Sequence, residues 1–300
     1  MLDSIIQPFQ YEFFIRGIIV AVMVGGVCGL IGVYIVLRGM SYIGHGMSHA
    51  VFGGAVASYI LSFNMYIGAA VWGFVSAAII NEINRRNKIK ADAAIGVVTT
   101  AGFAIGILLI STTRSFTRDF ESLLFGNILG ITDQDLLVIS LVSILTVLFV
   151  FFYHKKLIFI LFDKETSKVY GVRGDLVELI FSLVLAIVVI ASMSAIGVTL
   201  LAAAIVAPAI SARMLTNNFL KMVVMSTTIG ITTSFFGMYA SFYFDSASGA
   251  TIVLCGAAAF GISSLYAFMR RIYHTHSHGD QKHAHPHIHE QEHQHPHQND

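Results

Sequence analysis

The sequence predicts an all-α, polytopic transmembrane helical bundle of eight or nine spans, on three observations. Of its 300 residues 56% are hydrophobic and 12% charged, with a mean hydropathy of +0.75. Soluble domains are about 25% charged and about 45–50% apolar. Apolar runs close to the ~20 residues that cross a bilayer recur along the chain. Lysine and arginine gather in the short connections between those runs.

The runs fall near 13–37, 41–62, 65–81, 93–111, 135–153, 175–196, 198–214, 222–242 and 249–269. The seventh is short and contains Pro208, so it is the run expected to break or to cross incompletely. Arg85, Arg86, Lys88 and Lys90 follow the third run, and Lys155, Lys156, Lys164, Lys168 and Arg173 follow the fifth. Arg213 and Lys221 flank a later connection, and Arg270 and Arg271 follow the last run. By the positive-inside rule these ends are cytoplasmic, and so is the C-terminus. Arg114 and Arg118 are the exception, offset by Asp119 and Glu121.

Other classes are disfavoured. Asp3 and Glu12 precede Arg16, which is not the positive start of a cleavable signal, so the first helix is expected to stay. Cys28 and Cys255 lie mid-run and predict neither a disulfide framework nor a redox motif. A net charge of +1 gives no reason to expect nucleic acid. No strand pattern, internal repeat or soluble domain is visible. Residues 1–270 read as the membrane domain and 271–300 as a His-rich, disordered cytoplasmic tail. Ten of the 13 histidines lie in that tail, a composition that cannot bury a core but does bind metal.

Two connections are more than short turns. Residues 119–132 are too short to span and hold Gly126 and Gly130. They fit a segment that dips into the membrane or an amphipathic outer loop. Residues 162–176 mix Thr166, Ser167 and Lys168 with Val169, Tyr170 and Val172, and Gly171 is a helix-stop residue. A short docking helix and a solvated linker both suit that pattern.

The residues with most chemistry are His45 and His49, which open an apolar run. Positions i and i+4 share a helix face, so two imidazoles can converge on one ion. Ionisable groups at membrane depth point to function, against the alternative of two histidines satisfied by nearby carbonyls. A membrane zinc protease needs His-Glu-x-x-His, and Gly46 stands where its base would be. Hydrolysis is therefore disfavoured. No Gly-x-x-x-x-Gly-Lys loop is present to hold ATP, and few ionisable groups lie within spans to couple an ion gradient. Asp245, between the last two runs, is a cation ligand or a helix cap. Gly44, Gly46, Gly53 and Gly54 fit a helix packed closely among others.

Several segments, taken in order over about residues 13 to 270, carry a resemblance. They are Gly-His45-Gly-Met-Ser-His49-Ala-Val-Phe-Gly-Gly, Leu-Leu-Phe-Gly-Asn-Ile-Leu-Gly at 123–130, and Asp163 through Gly171. Ala195 through Arg213, with Pro208, and the Ser-Gly-Ala-Thr turn after Asp245 complete the set. Together they resemble the permease subunit of a bacterial ABC importer for divalent metals, the zinc- and manganese-type ABC-3 permease family.

The resemblance implies a transport subunit of the cell membrane and not an enzyme, with ATP hydrolysis on separate cytoplasmic ATPase chains. It implies a second permease copy, an external metal-binding protein and alternating access. No permanently bound cofactor is expected, and the cargo is Zn2+ first and Mn2+ next. Residues 163–171 resemble a coupling helix, in which Asp163, Glu165, Lys168, Val169, Tyr170 and Gly171 would meet the ATPase. His45, His49 and Asp245 are the implied metal residues. The family pattern at the pair is Asp-x-x-x-His, so His45 departs from it. Exchanging an anionic oxygen for a neutral nitrogen favours zinc. The competing reading is a gradient-driven carrier with a metal-sensing His-rich tail.

Overall fold

Backbone polar groups in lipid must be satisfied within the chain, so apolar runs become helices. The computed structural model describes residues 6–40, 42–85, 91–113, 123–278 and 281–286. After a 3-10 turn at Gln7–Gln10 come α1 (Glu12–Leu37), α2 (Tyr42–Ile60), α3 (Met65–Arg85) and α4 (Ala91–Thr113). Then follow α5 (Asp133–Phe162), the short α6 (Lys164–Val169), α7 (Gly174–Ile196), α8 (Val198–Leu215), α9 (Phe219–Phe244) and α10 (Ser248–Ile272).

Eight of these helices are long and apolar enough to cross a membrane. The doubtful span is not where the sequence placed it. α8 runs unbroken through Pro208 and is among the eight. The long helix outside that set is α2, whose histidines, serines and glycines dilute its apolar character. Protein surrounds it instead: it packs against α3, α4, α7 and α8, and Met47, Ala50, Val51, Phe52, Ala55 and Val56 are fully buried. A polar helix is stable at this depth when neighbours shield it.

α1 and α7 form the centre, with 72% and 67% of their most apolar stretches buried, against 22% for α5 and 17% for α10. Leu137, Leu141, Ile144, Leu148 and Phe151 of α5 are exposed accordingly and form a surface suited to lipid. α1 crosses α9 at small residues. A Cβ on Gly25 would fall 2.3 Å from the Gly230 carbonyl oxygen, and Ser226 Oγ donates to the Gly29 carbonyl at 2.6 Å.

The helices alternate in direction, which sorts their ends. At one end Arg16 joins Asp133 at 2.7 Å, Tyr66 donates to Asp135, and Asp135 and Thr132 form a capping box on α5. Residues 123–130 also lie there, docked on the α7–α8 junction. Asn127 N–H donates to the Ser194 carbonyl at 3.0 Å, and Thr199 Oγ1 donates to the Leu124 carbonyl at 2.6 Å. Gly126 and Gly197, both at positive φ, put their backbones in contact. Pattern alone did not decide between a dipping segment and an outer loop. The described part is a short, packed plug with Ile128 fully buried; residues 119–122 lie outside the described residues. The opposite end carries Arg38, Arg85, α6, Arg173, Arg213, Lys221 and Arg270. There the Arg38 guanidinium sits 4.7 Å from the centre of the Phe181 ring.

Composition predicts no regular structure beyond α10, yet β1 (Tyr273–His278) pairs antiparallel with β2 (Gln281–Pro286). Residues 279 and 280, between the two strands, lie outside the described residues. Residues 287–300 of the predicted tail lie outside the described residues.

Candidate metal site

Glycines hold α2 in backbone contact with its neighbours. A Cβ on Gly53 would fall 2.2 Å from the Gly102 carbonyl oxygen of α4, and one on Gly54 2.3 Å from that of Gly68 in α3. One on Gly46 would fall 2.4 Å from Ile95 Cγ2 of α4. Ser48, fully buried, spends its hydroxyl on the Gly44 carbonyl at 2.9 Å and leaves no stray polar group. The orientation of the histidines is therefore fixed by close packing all along the helix, on their own face at Gly53 and on others at Gly46 and Gly54.

On that face the two imidazoles meet. His45 Nε2 and His49 Nε2 are 3.1 Å apart, with the rings nearly perpendicular at 86°. One nitrogen must accept if the contact is a hydrogen bond, so at least one ring is neutral. Phe103 of α4 closes one side, its ring centre 4.6 Å from that of His49, and Tyr42 lies 5.4 Å from His45. Two nitrogens bound to one tetrahedral zinc at ~2.0–2.1 Å would stand about 3.3 Å apart. The pair is thus pre-spaced, within a few tenths of an ångström, to share an ion.

What surrounds the pair limits how tightly it can hold one. His49 Nδ1 is buried and has no hydrogen-bond partner. A ligating histidine normally donates its second N–H to a carboxylate or carbonyl, which fixes the ring and strengthens the bond. Among the described residues no group of three or more His, Cys, Asp and Glu side chains converges. Among the described residues the face thus offers two imidazole nitrogens, one of them on a ring with an unanchored Nδ1.

The structure does not bring Asp245 to the pair. The pair lies in the first turns of α2, about 5–10 Å along the helix from Tyr42, in the half nearer the basic end. Asp245 caps α9 at the other end, exposed and left-handed at φ 47 and ψ 49, with its N–H on the Ser241 carbonyl. A short polar side chain tolerates that conformation, which explains an Asp there without an ion.

The residues predicted to meet a partner form α6 and its ends. Asp163 accepts from Thr166 N–H at 2.8 Å and from Thr166 Oγ1 at 2.5 Å, and these bonds hold its carboxyl below the usual carboxylate range. Gly171, at φ 77, ends the turn. Val169 and Tyr170 are 85% and 76% exposed, and Glu165, Lys168 and Gly171 are exposed beside them. Large apolar side chains that project at the basic end, beyond the helices that cross, form a docking surface more readily than a linker does.

The family model described as the ABC 3 transport family matches residues 10–267. The chain belongs to that family. It is 37% identical over 258 residues to the manganese transport system membrane protein MntC of Listeria monocytogenes, covering 86% of this chain and 92% of that one. It is 33% identical over 272 residues to the manganese import system permease protein ScaB of Streptococcus gordonii, covering 90% and 98%. It is 32% identical over 253 residues to the chelated iron transport system membrane protein YfeC of Yersinia pestis, covering 84% and 86%. Among solved structures, PsaBC from Streptococcus pneumoniae in complex with Fab superposes with a TM-score of 0.79 at 34% identity, covering 88% of this chain and 95% of that one. Family membership and eight long apolar helices place the chain in the cell membrane as a transport permease.

Sequence reasoning missed Phe103 and the glycines that face α2 from other helices, Gly68 and Gly102. Each is an ordinary residue of an apolar run, and no local pattern marks it.

Proposed function

We propose that this chain is the permease of an ATP-driven importer of divalent metal ions, and that His45 and His49 form a transient site on the ion's path. The observation that carries the reading is the 3.1 Å separation of the two Nε2 atoms on a helix encased in protein. A transport site must release what it binds, and two ligands without a closing third and fourth suit that need. Alternating access then consists of opening the pair to one side at a time as the surrounding helices rock. The energy enters through α6, whose exposed Val169 and Tyr170 dock into an ATPase chain on the cytoplasmic side. A metal-binding protein delivers the ion at the other end, and a second permease copy completes the pathway. The family supports this ATP-driven reading over a gradient-driven carrier.

The cargo we favour is Mn2+, because relatives that match most of the chain are named for manganese. This reverses the order expected from the residues, which put zinc first. One observation keeps zinc as a second reading: both donors of the pair are imidazole nitrogens, which bind zinc more readily than manganese. The test is the initial rate of 54Mn2+ uptake in cells that express His49→Ala with its ATPase at unaltered membrane levels. Loss of uptake is expected, and uptake equal to the unaltered chain would remove the pair from the path. Competition by unlabelled Zn2+ and Mn2+ in the same cells decides the cargo.

A further inference from the structure

At the basic end of the bundle, α5, the residues after α6 and the start of α7 enclose a cavity of about 420 Å³. Its polar wall consists of Tyr153 and Lys156 of α5, Tyr170, and Arg173 at the head of α7. The Lys156 ammonium stands 5.2 Å from the centre of the Tyr153 ring, and the Tyr170 ring packs edge-on to Phe159 with centres 5.8 Å apart. Leu176, Val177 and Ile180 of α7 supply an apolar floor. Among the described residues no carboxylate lines the cavity, and the ion pairs are made by Arg16 and Arg85, neither of which lines it. Asp163, at the entry to α6, is engaged by Thr166. Lys156 and Arg173, both exposed, therefore give the cavity two positive charges and no anion to balance them.

The depth of the cavity selects the anion. α5 starts at Asp133, among the polar groups of the opposite end, and Lys156 lies about 35 Å along it at ~1.5 Å per residue. The hydrocarbon core of a bilayer is about 30 Å thick, so Lys156 reaches headgroup level. Tyr153, a turn earlier, holds the place of an interfacial aromatic, and exposed Leu148, Phe151 and Phe152 lead from it into the apolar layer. We infer that the cavity is a site for the headgroup of an anionic phospholipid in the leaflet at the basic end. Arg173 presents a planar fork that pairs with phosphate oxygens, and Lys156 adds a point charge. Basic pockets between membrane helices on the cytoplasmic side suit such headgroups, and the floor takes the glycerol and the first methylenes. A headgroup held by both cations bridges α5 to α7 around α6, and so steadies the segment that presents Val169. That role, like the assignment of the leaflet to the cytoplasm, rests on the reading of α6 as the element that meets the ATPase.

The experiment uses the full chain in detergent, without ATPase or metal, titrated with phosphatidylglycerol or phosphatidylcholine and followed by native mass spectrometry. The double variant Lys156→Gln, Arg173→Gln is compared with Arg213→Gln, Lys221→Gln, which removes two charges from the same end but outside the cavity. The cavity variant should bind phosphatidylglycerol about 30-fold more weakly, since each basic side chain near an anionic membrane surface contributes about fivefold. The control variant should bind it as the unaltered chain does. Equal losses in the two variants, or equal affinity of the unaltered chain for the two lipids, would overturn the site. Displacement of phosphatidylglycerol by equimolar inorganic phosphate would overturn the lipid assignment in favour of a soluble anion. Unaltered lipid binding by the cavity variant, with loss of ATPase co-purification, would overturn it in favour of the partner chain. Phosphatidylglycerol should also slow amide exchange at residues 166–171 of the unaltered chain, and unchanged exchange would remove the bridge around α6. Because the binding assay contains neither metal nor ATPase, its failure is separate from failure of the transport reading, which the uptake assay measures.

Discussion

Gly53→Ala tests whether close packing of α2 sets the geometry of the histidine pair. The added methyl would stand 2.2 Å from the Gly102 carbonyl oxygen, where ordinary contact begins at 3.4 Å. α2 and α4 must therefore separate locally by about 1 Å, and overpacking of this kind costs about 1–3 kcal/mol. Alanine is favoured over glycine inside a helix by about 1 kcal/mol, so a loss of stability would come from the clash and not from propensity. His49 lies one turn before Gly53 on the same face and rests against Phe103 of α4. Opening that contact moves His49 relative to its wall, and misplacement by about 1 Å costs about 100-fold in a positioned catalytic site. A drop of at least about tenfold in Mn2+ uptake at equal membrane level is expected, with a lower melting temperature in detergent. Gly96→Ala is the control on the same helix pair, because a Cβ there meets nothing within 4 Å. Uptake and melting temperature of Gly53→Ala that match those of Gly96→Ala would refute the reasoning.

Further outcomes follow from other close contacts. Gly197→Ala combines φ 89 with a Cβ placed 2.4 Å from the Phe125 carbonyl carbon. Held at ψ 145 as well, this backbone is open almost only to glycine and costs another residue about 1–3 kcal/mol, so the variant should lower the melting temperature and release residues 123–130 to proteolysis. Asp163→Ala removes the cap of α6 and should speed amide exchange at Thr166. In the unaltered chain the folded carboxyl titrates lower than the unfolded one. The cap is therefore fully effective above the unfolded value of about 3.9 and is lost as the pH falls through the folded value. Exchange at Thr166, corrected for its intrinsic pH dependence, should rise over that interval and stay flat in Asp163→Ala. His45→Asp replaces one nitrogen donor with a carboxylate oxygen and should raise the preference for Mn2+ over Zn2+ in competitive uptake.

The periodicity of the helix was enough to bring His45 and His49 together on one face, because i and i+4 are neighbours whatever surrounds them. The stop at Gly171 is equally local and was legible beforehand, whereas the cap at Asp163 was not read from the sequence. Asp245 shows where that legibility ends. Its residue type suits a ligand and a cap alike, and only the structure shows that it ends α9 in the left-handed region, at the end away from the histidine pair. The pairing of Tyr273–His278 with Gln281–Pro286 was not legible, since a polar composition gives no sign of where a strand finds its partner.

Composition and the positions of Lys and Arg determined by themselves that this chain is a bundle of membrane helices, because lipid admits few other arrangements of the backbone. Which helix is interior was not determined in that way. Hydropathy ranks α2 below its neighbours, and only the packing of Gly53 on Gly102 and Gly54 on Gly68 shows that protein, not lipid, surrounds it. Contacts of that kind join residues far apart in the chain through backbone atoms common to every residue. No local pattern encodes them, so the depth and enclosure of the histidine pair were left to the tertiary structure.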